Sequence, residues 1–287
     1  MDLKTEYIIR QLGRTKNKKF EMYVVNRVIN LINDLDIKFV TQQYVLRPDG
    51  CALTDLYFPQ FNLHIEVDEA HHKQNIESDK IREADIINAT EHTLIRIDVN
   101  KTIIEINSQI DLVVDKIRTL KKEQVNFKPW DIEAEFNPET YIKLGYIDIQ
   151  DNVAFKTIAD GCNCFGHNYK GYQRAGAIHA IDKSILIWFP KLYKNNGWNN
   201  SLSPDEMTII EKPLTNKYDE HIVKYLENIG KYHTKRIVFA RVKDNLGNVL
   251  YRFKGLYELD EKSSLVEGRI WNRLATRVET VSKKDTL

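Results

Sequence analysis

Only three cysteines, Cys51, Cys162 and Cys164, occur in 287 residues. An odd count, with no second pair to join Cys162 and Cys164 in a tetrahedral site, supports neither a disulfide framework nor structural zinc. Small buried or loop thiols are expected instead. Long hydrophobic runs are missing too: nothing approaches the roughly 20 apolar residues that span a bilayer. The opening segment MDLKTEYIIRQLG lacks the continuous apolar stretch and cleavage site of a signal peptide, so the expectation is a cytoplasmic protein with no membrane partner. Charge of one sign is also lacking, since 42 Lys and Arg face 41 Asp and Glu for a net +1. No global basic field announces nucleic acid, and any such surface must be local. Internal repeats and low-complexity tracts are absent.

What is present suits two ordinary domains: 42% apolar residues supply cores, and the length exceeds one average domain. Residues 1–121 read as α/β. Lys18 to Asn33 places Phe20, Val24, Val28 and Leu31 at helical spacing. Extended segments at 39–46 and 53–58 flank Arg47-Pro48-Asp49-Gly50, a hairpin-type turn. Leu63 to Asp68 alternates cleanly, a charged helix over about 74–89 follows, and a strand over 93–99 comes next, an order that favours a parallel crossover. A last helix turns Ile103, Ile106, Ile110, Val113 and Ile117 to one side. Residues 122–139, charged and carrying two prolines, break this periodicity and are assigned as a linker. Residues 140–287 are expected to form a curved, barrel-like β domain, with extended runs at 153–159, 177–189, 207–210, 236–242, 249–259 and 269–280, and a hairpin turn at Asp244 to Asn248.

The alternation in Leu63-His64-Ile65-Glu66-Val67-Asp68 sends the apolar residues to one face and His64, Glu66 and Asp68 to the other. Two carboxylates two residues apart repel each other unless a cation or paired base sits between them, and a hard divalent metal is the natural partner. Asp55 lies just upstream, where a short turn can fold it beside Glu66. Such a cluster polarises a phosphoryl oxygen and activates water. A solvent-facing strand edge would show the same alternation, but His71 and His72 follow at once, within reach for proton transfer. Glu21, one turn before Val25, can face the same cluster.

Asp55, Ile65-Glu66-Val67-Asp68, His72, Asp79-Lys80-Ile81-Arg82 and Leu94-Ile95-Arg96 together resemble nucleases of the very-short-patch-repair type within the PD-(D/E)xK superfamily. The resemblance implies metal-dependent phosphodiester hydrolysis, with Asp55 and Glu66 as metal ligands, His72 assisting proton transfer and magnesium as the expected cation. The lysine usual two residues after the acidic ligand is Asp68 here, as in the histidine-using branch.

Cys162 to Arg174 (CNCFGHNYKGYQR) interleaves rings, glycines and cations as a nucleic-acid loop does, with Lys170 and Arg174 for phosphate. Across nearly the whole chain, the order of parts resembles the AbaSI and PvuRts family of 5-hydroxymethylcytosine-dependent restriction endonucleases, carried by Gln42-Gln43-Tyr44-Val45, Ile65 to His72, Phe127-Lys128-Pro129-Trp130, Tyr251-Arg252-Phe253 and Thr276-Arg277-Val278. That implies an SRA-like second domain that flips a modified cytosine out of duplex DNA, with Trp198, Asn200 and Glu211 at the family's spacing for pocket residues. The chemistry suits them: a ring replaces lost stacking, a carboxylate accepts from the exocyclic amine of cytosine, and an amide can both donate to and accept from a hydroxymethyl group. One nuclease centre per chain cuts one strand, so a double-strand break implies a homodimer, as the family does. Two other functions fit parts of the sequence. A mismatch-repair-type nicking nuclease needs no base pocket, and a non-cutting reader of modified DNA does not need the intact Asp55, Glu66, Asp68 and His72.

Overall fold

The computed structural model describes residues 2–15, 19–68, 78–195, 197–214, 233–264 and 268–282. It divides into two compact units, residues 1–132 with 244–248 and residues 133–243 with 249–287. Among the described residues no helix is long and apolar enough to cross a membrane.

The first unit runs α1 (Leu3–Leu12), α2 (Lys19–Ile32), β1 (Val40–Arg47), β2 (Gly50–Phe58), β3 (Leu63–Asp68), α3 (Ser78–Glu83), β4 (Ile87–Asn88), β5 (Thr93–Asp98) and α4 (Ile103–Glu123). Its sheet has the order β4-β1-β2-β3-β5. The crossover expected after β3 is parallel, Leu63 through Asp68 lying against Thr93 through Asp98. Val24, Val25 and Val28 of α2 and Ile106, Ile110, Val113 and Ile117 of α4 close over Leu56, Leu63, Ile65 and Ile97. Helix α4 starts on a capping box, in which Thr102 accepts from the Glu105 amide and Glu105 accepts from the Thr102 amide.

Three local expectations change. Ile103, at the first turn of α4, is exposed rather than buried. The charged helix is described only over Ser78–Glu83, and Ile87 instead joins the sheet edge opposite Val45; burial of Ile87 in the sheet outweighs helix propensity there. The stretch 122–139 is not a free tether throughout: α4 runs to Glu123, Trp130 is buried, its amide donates to the Asp36 carbonyl at 2.8 Å, and its ring lies 4.9 Å from that of Tyr7.

The second unit contains α5 (Pro138–Leu144), β6 (Tyr146–Asp148), β7 (Ala154–Phe155), α6 (Ile158–Asn163), β8 (Ala177–Ile178), β9 (Ile185–Trp188), β10 (Lys194–Asn195), β11 (Trp198–Asn199), β12 (Ser201–Leu202), β13 (Thr208–Glu211), β14 (Lys235–Lys243), β15 (Val249–Asp260), β16 (Arg269–Ala275) and β17 (Arg277–Glu279). Its main sheet follows the order β12-β13-β16-β15-β14-β9-β8, with β7 pairing β15. Register shifts at Val238/Phe239 and Leu256/Tyr257 bend the long strands. Gly255 permits the second bend, at φ +111°, where an added Cβ would stand 2.6 Å from the Ala275 carbonyl oxygen. The run expected to be extended over 153–159 is cut short because Thr157 caps α6, its hydroxyl accepting from the Asp160 amide. Cys162, Cys164 and Phe165 are therefore core residues. All three cysteines are free thiols.

Candidate functional site

Strand β1 is irregular at one residue. Thr41 pairs with Leu56 and Gln43 with Thr54, and Gln42 between them has φ +54°. Val40 and Val45, five apart, share one cluster with Tyr57 and Ala52, also five apart. Regular alternation would put each pair on opposite faces, so the faces exchange at Gln42 and Asp55. At that point the Asp55 carboxylate accepts from the Val67 amide at 2.8 Å through Oδ2 and from Gln42 Nε2 at 3.2 Å through Oδ1. The same Nε2 donates to Glu21 Oε1 at 2.5 Å. Glu21 is only 3% exposed, on the face of α2 that carries Val24 and Val28. The fold thus brings together Glu21 and Asp55, bridged by one neutral amide.

Glu66 is held differently. Its Oε1 lies 2.7 Å from Arg47 Nη1 and its Oε2 3.3 Å from Arg96 Nη2. Asp68 is exposed at the end of β3. His71 and His72 lie outside the described residues. His64, expected beside Glu66 in a row of ionisable groups, is buried and stacked on Tyr57 at 4.2 Å, with Nε2 2.9 Å from His92 Nδ1. Burial, then the neighbouring His92 and Arg47, depress its pKa to about 3.

Among the described residues no three His, Cys, Asp or Glu side chains converge as a ready metal cage. Two buried carboxylates sharing one uncharged donor nevertheless suit a magnesium-type cation, which usually takes one or two carboxylates and completes its shell with water and substrate phosphate. Glu66 lies against two arginines instead.

In the second unit, Ser201 pairs with Ile210, Leu202 with Ile209, and Trp198 bridges to Pro213. Continuing that register sets Asn200 across from Glu211, on the face of Trp198. Trp198 is 39% exposed, enough to offer a ring face. The Asn200 amide donates to the Lys191 carbonyl and accepts from the Lys212 amide, each at 3.2 Å, which leaves one N–H and one lone pair. Glu211 Oε2 accepts from Arg236 Nη1 at 3.1 Å and from Trp271 Nε1 at 3.2 Å; its Oε1 takes no hydrogen bond among the described residues. Arg236 is itself clamped between Trp188 and Trp271, 4.2 and 3.8 Å from their ring centroids. Lys170 and Arg174 are exposed on the loop after α6, around Tyr172, which is 86% exposed.

Two family descriptions match the chain: "Restriction endonuclease PvuRts1 I-like, N-terminal" over residues 5–118 and "SET and RING associated domain" over residues 140–280. A solved structure described as "The 5-Hydroxymethylcytosine-Specific Restriction Enzyme AbaSI" is 46% identical, covers 97% of this chain and 98% of its own, and superposes with a TM-score of 0.85. The chain belongs to the PvuRts1 I-like restriction endonucleases. No curated protein matches it. As a PvuRts1 I-like enzyme it is a DNA endonuclease, with an α/β nuclease unit followed by an SRA unit. In this member of the family, sequence reasoning missed Gln42 and Arg236. Gln42 entered the sequence reading only within a stretch that carries the family resemblance, since a left-handed glutamine inside a strand is not visible in periodicity. Arg236 stands just before the apolar run Ile237 to Ala240 of β14, and only the tertiary fold shows that it too turns inward.

Proposed function

We propose that the enzyme recognises 5-hydroxymethylcytosine, bare or glucosylated, in duplex DNA by flipping the base, and cleaves the duplex at a distance in a metal-dependent reaction. The observation that carries this reading is 46% identity, over 97% of the chain, to an enzyme described as specific for 5-hydroxymethylcytosine. The geometry supports it. The Trp198 ring stacks on the extruded base, Glu211 Oε1 accepts from the exocyclic amine, and the remaining donor and acceptor of Asn200 meet the hydroxyl. Lys170 and Arg174 bind phosphate and set register without reading sequence.

In the nuclease unit, Asp55 with Glu66 or Glu21 would hold a divalent cation, magnesium being the expected ion. The bound cation supplies polarisation of the phosphoryl oxygen. Glu66 also pairs with Arg47 and Arg96 at the end of the cluster. Asp68 occupies the place of the usual lysine, and proton transfer falls to His72. Two chains pair to cut both strands.

The test is one duplex sequence prepared with cytosine, 5-methylcytosine, 5-hydroxymethylcytosine or its glucosylated form, incubated with wild type and Asp55→Ala in magnesium, with and without chelator. Hydroxymethylated and glucosylated DNA should be cut in preference to the other two, and both chelator and Asp55→Ala should abolish cutting while DNA binding survives. Equal cutting of all four substrates rejects the base reading. Cutting by Asp55→Ala near the wild-type rate rejects the site.

A further inference from the structure

Glu211 is only 6% exposed, and among the described residues every donor that meets its carboxylate meets the same oxygen. Arg236 Nη1 stands 3.1 Å, Trp271 Nε1 3.2 Å and Arg269 Nη1 3.7 Å from Oε2, whereas Oε1 takes no hydrogen bond there. The two nearest donors are themselves held. Trp271 is fully buried, and the Arg236 guanidinium lies between the Trp188 and Trp271 rings, 4.2 and 3.8 Å from their centroids. Arg236 stands two residues before Val238 on β14, so alternation turns it to the face on which Val238 packs with Ile209, Trp188 and Trp271. A charge on such a face is costly unless it is paired, and here the carboxylate and the two ring faces meet it. With Oε2 pinned from two strands, the carboxylate can present Oε1 in one direction only.

That direction has a chemical consequence. A cytosine carries a donor, its exocyclic amine, where a uracil carries the O4 acceptor, and the uracil has its own donor one ring position away, at N3. A carboxylate free to swing serves either base, accepting from the amine of one or the N3–H of the other. A fixed carboxylate serves only the base whose donor lies where Oε1 stands, and sets acceptor against acceptor in the other. We propose that Arg236 and Trp271 are positioning residues of the base pocket: by holding Oε2 they fix Oε1 on the exocyclic amine, so that the enzyme takes 5-hydroxymethylcytosine and refuses 5-hydroxymethyluracil. This rests on the reading of Glu211 as the carboxylate of the pocket. Trp271→Phe keeps a ring on Arg236 and removes only the Nε1 donor, whereas Arg236→Gln removes the charge and the stacked guanidinium.

Fluorescence anisotropy of the full-length protein, in chelator, reads binding to two duplexes that carry one 5-hydroxymethylcytosine or one 5-hydroxymethyluracil. Each base is set opposite an abasic position, so that unpairing costs the same for both. Thermal unfolding runs alongside. Wild type should bind the cytosine duplex about 100-fold more tightly, the scale of one charged hydrogen bond lost. Trp271→Phe and Arg236→Gln should each narrow that ratio to about 10-fold or less, the uracil duplex gaining on the cytosine one. A purely structural role would weaken both duplexes together and leave the ratio unchanged. The wild-type ratio in either folded variant overturns the proposal, and so does a wild type that binds both duplexes equally; if Arg236→Gln does not fold, Trp271→Phe decides alone. Glu211→Gln is the control for the underlying reading. If it binds both duplexes as wild type does, Glu211 is not the reading group and the pocket itself is misplaced. If it loses the discrimination while Trp271→Phe and Arg236→Gln keep it, the pocket stands and the positioning role falls.

Discussion

Four acidic side chains, placed by the same fold, receive their partners in two ways. Glu66 and Glu211 each lie against arginine, so their charge is met within the protein. Glu21 and Asp55 both accept from the neutral amide of Gln42. His64 gives the residue-scale prediction. Burial first, then His92 and Arg47, keep it neutral down to a pKa of about 3, against an ordinary value of 6.5 that returns on unfolding. Between those two values the unfolded chain binds the proton that the native chain refuses, so stability falls as pH falls, with a slope of up to about 1.4 kcal/mol per pH unit. The urea midpoint of the nuclease unit should therefore drop from pH 7 to pH 5. His64→Phe, which keeps a ring on Tyr57, should flatten part of that drop; an unchanged slope in His64→Phe would show that His64 is not the group responsible.

Individual elements differ in how far the sequence revealed them. β3 and α2 were legible because one face of each is buried and the other is not, so period two and period 3.6 survive in the residue order. Elements decided by a partner elsewhere were not. β4 is two residues long and exists because β1 offers an edge, and Trp130 is ordered by Asp36 and Tyr7, far away in sequence. The candidate site splits in the same way: Asp55 and Glu21 could be named from residue type and spacing, whereas their joining through Gln42 depends on a backbone angle that no pattern encodes. Gly255 belongs to this second class and yields a test. With φ +111° and the Ala275 oxygen 2.6 Å from an added Cβ, Gly255→Ala should destabilise the β-rich unit by more than the roughly 1–3 kcal/mol of backbone strain alone. Gly145→Ala, at φ +86° with open space around it, should incur only the strain. Urea unfolding of the two variants decides it; equal losses would mean that the close approach to β16 relaxes freely.

At the scale of the whole molecule, one chain carries one pair of bridged carboxylates and one Trp198–Asn200–Glu211 face, each within its own unit. A single centre can attack one phosphodiester at a time, so concerted cutting of both strands requires two chains on the same duplex, the closed two-fold arrangement being the commonest for such pairs. The proposed dimer has a consequence that neither domain has alone. Suppose wild-type protein is equilibrated with a large excess of Asp55→Ala before meeting plasmid that contains 5-hydroxymethylcytosine. By mass action most active chains then sit beside an inactive partner that still binds DNA. Such a pair cuts the strand under its one intact centre and leaves the other strand whole. Nicked circles should accumulate at the expense of linear product, and the ratio of nicked to linear should rise with the proportion of Asp55→Ala. If instead single chains cut the two strands in successive visits, the inactive protein acts only as a competitor: it slows both products together and leaves their ratio at matched extents of reaction unchanged. Gel separation of nicked and linear forms along that titration distinguishes the two, and a constant ratio would remove the dimer from the mechanism.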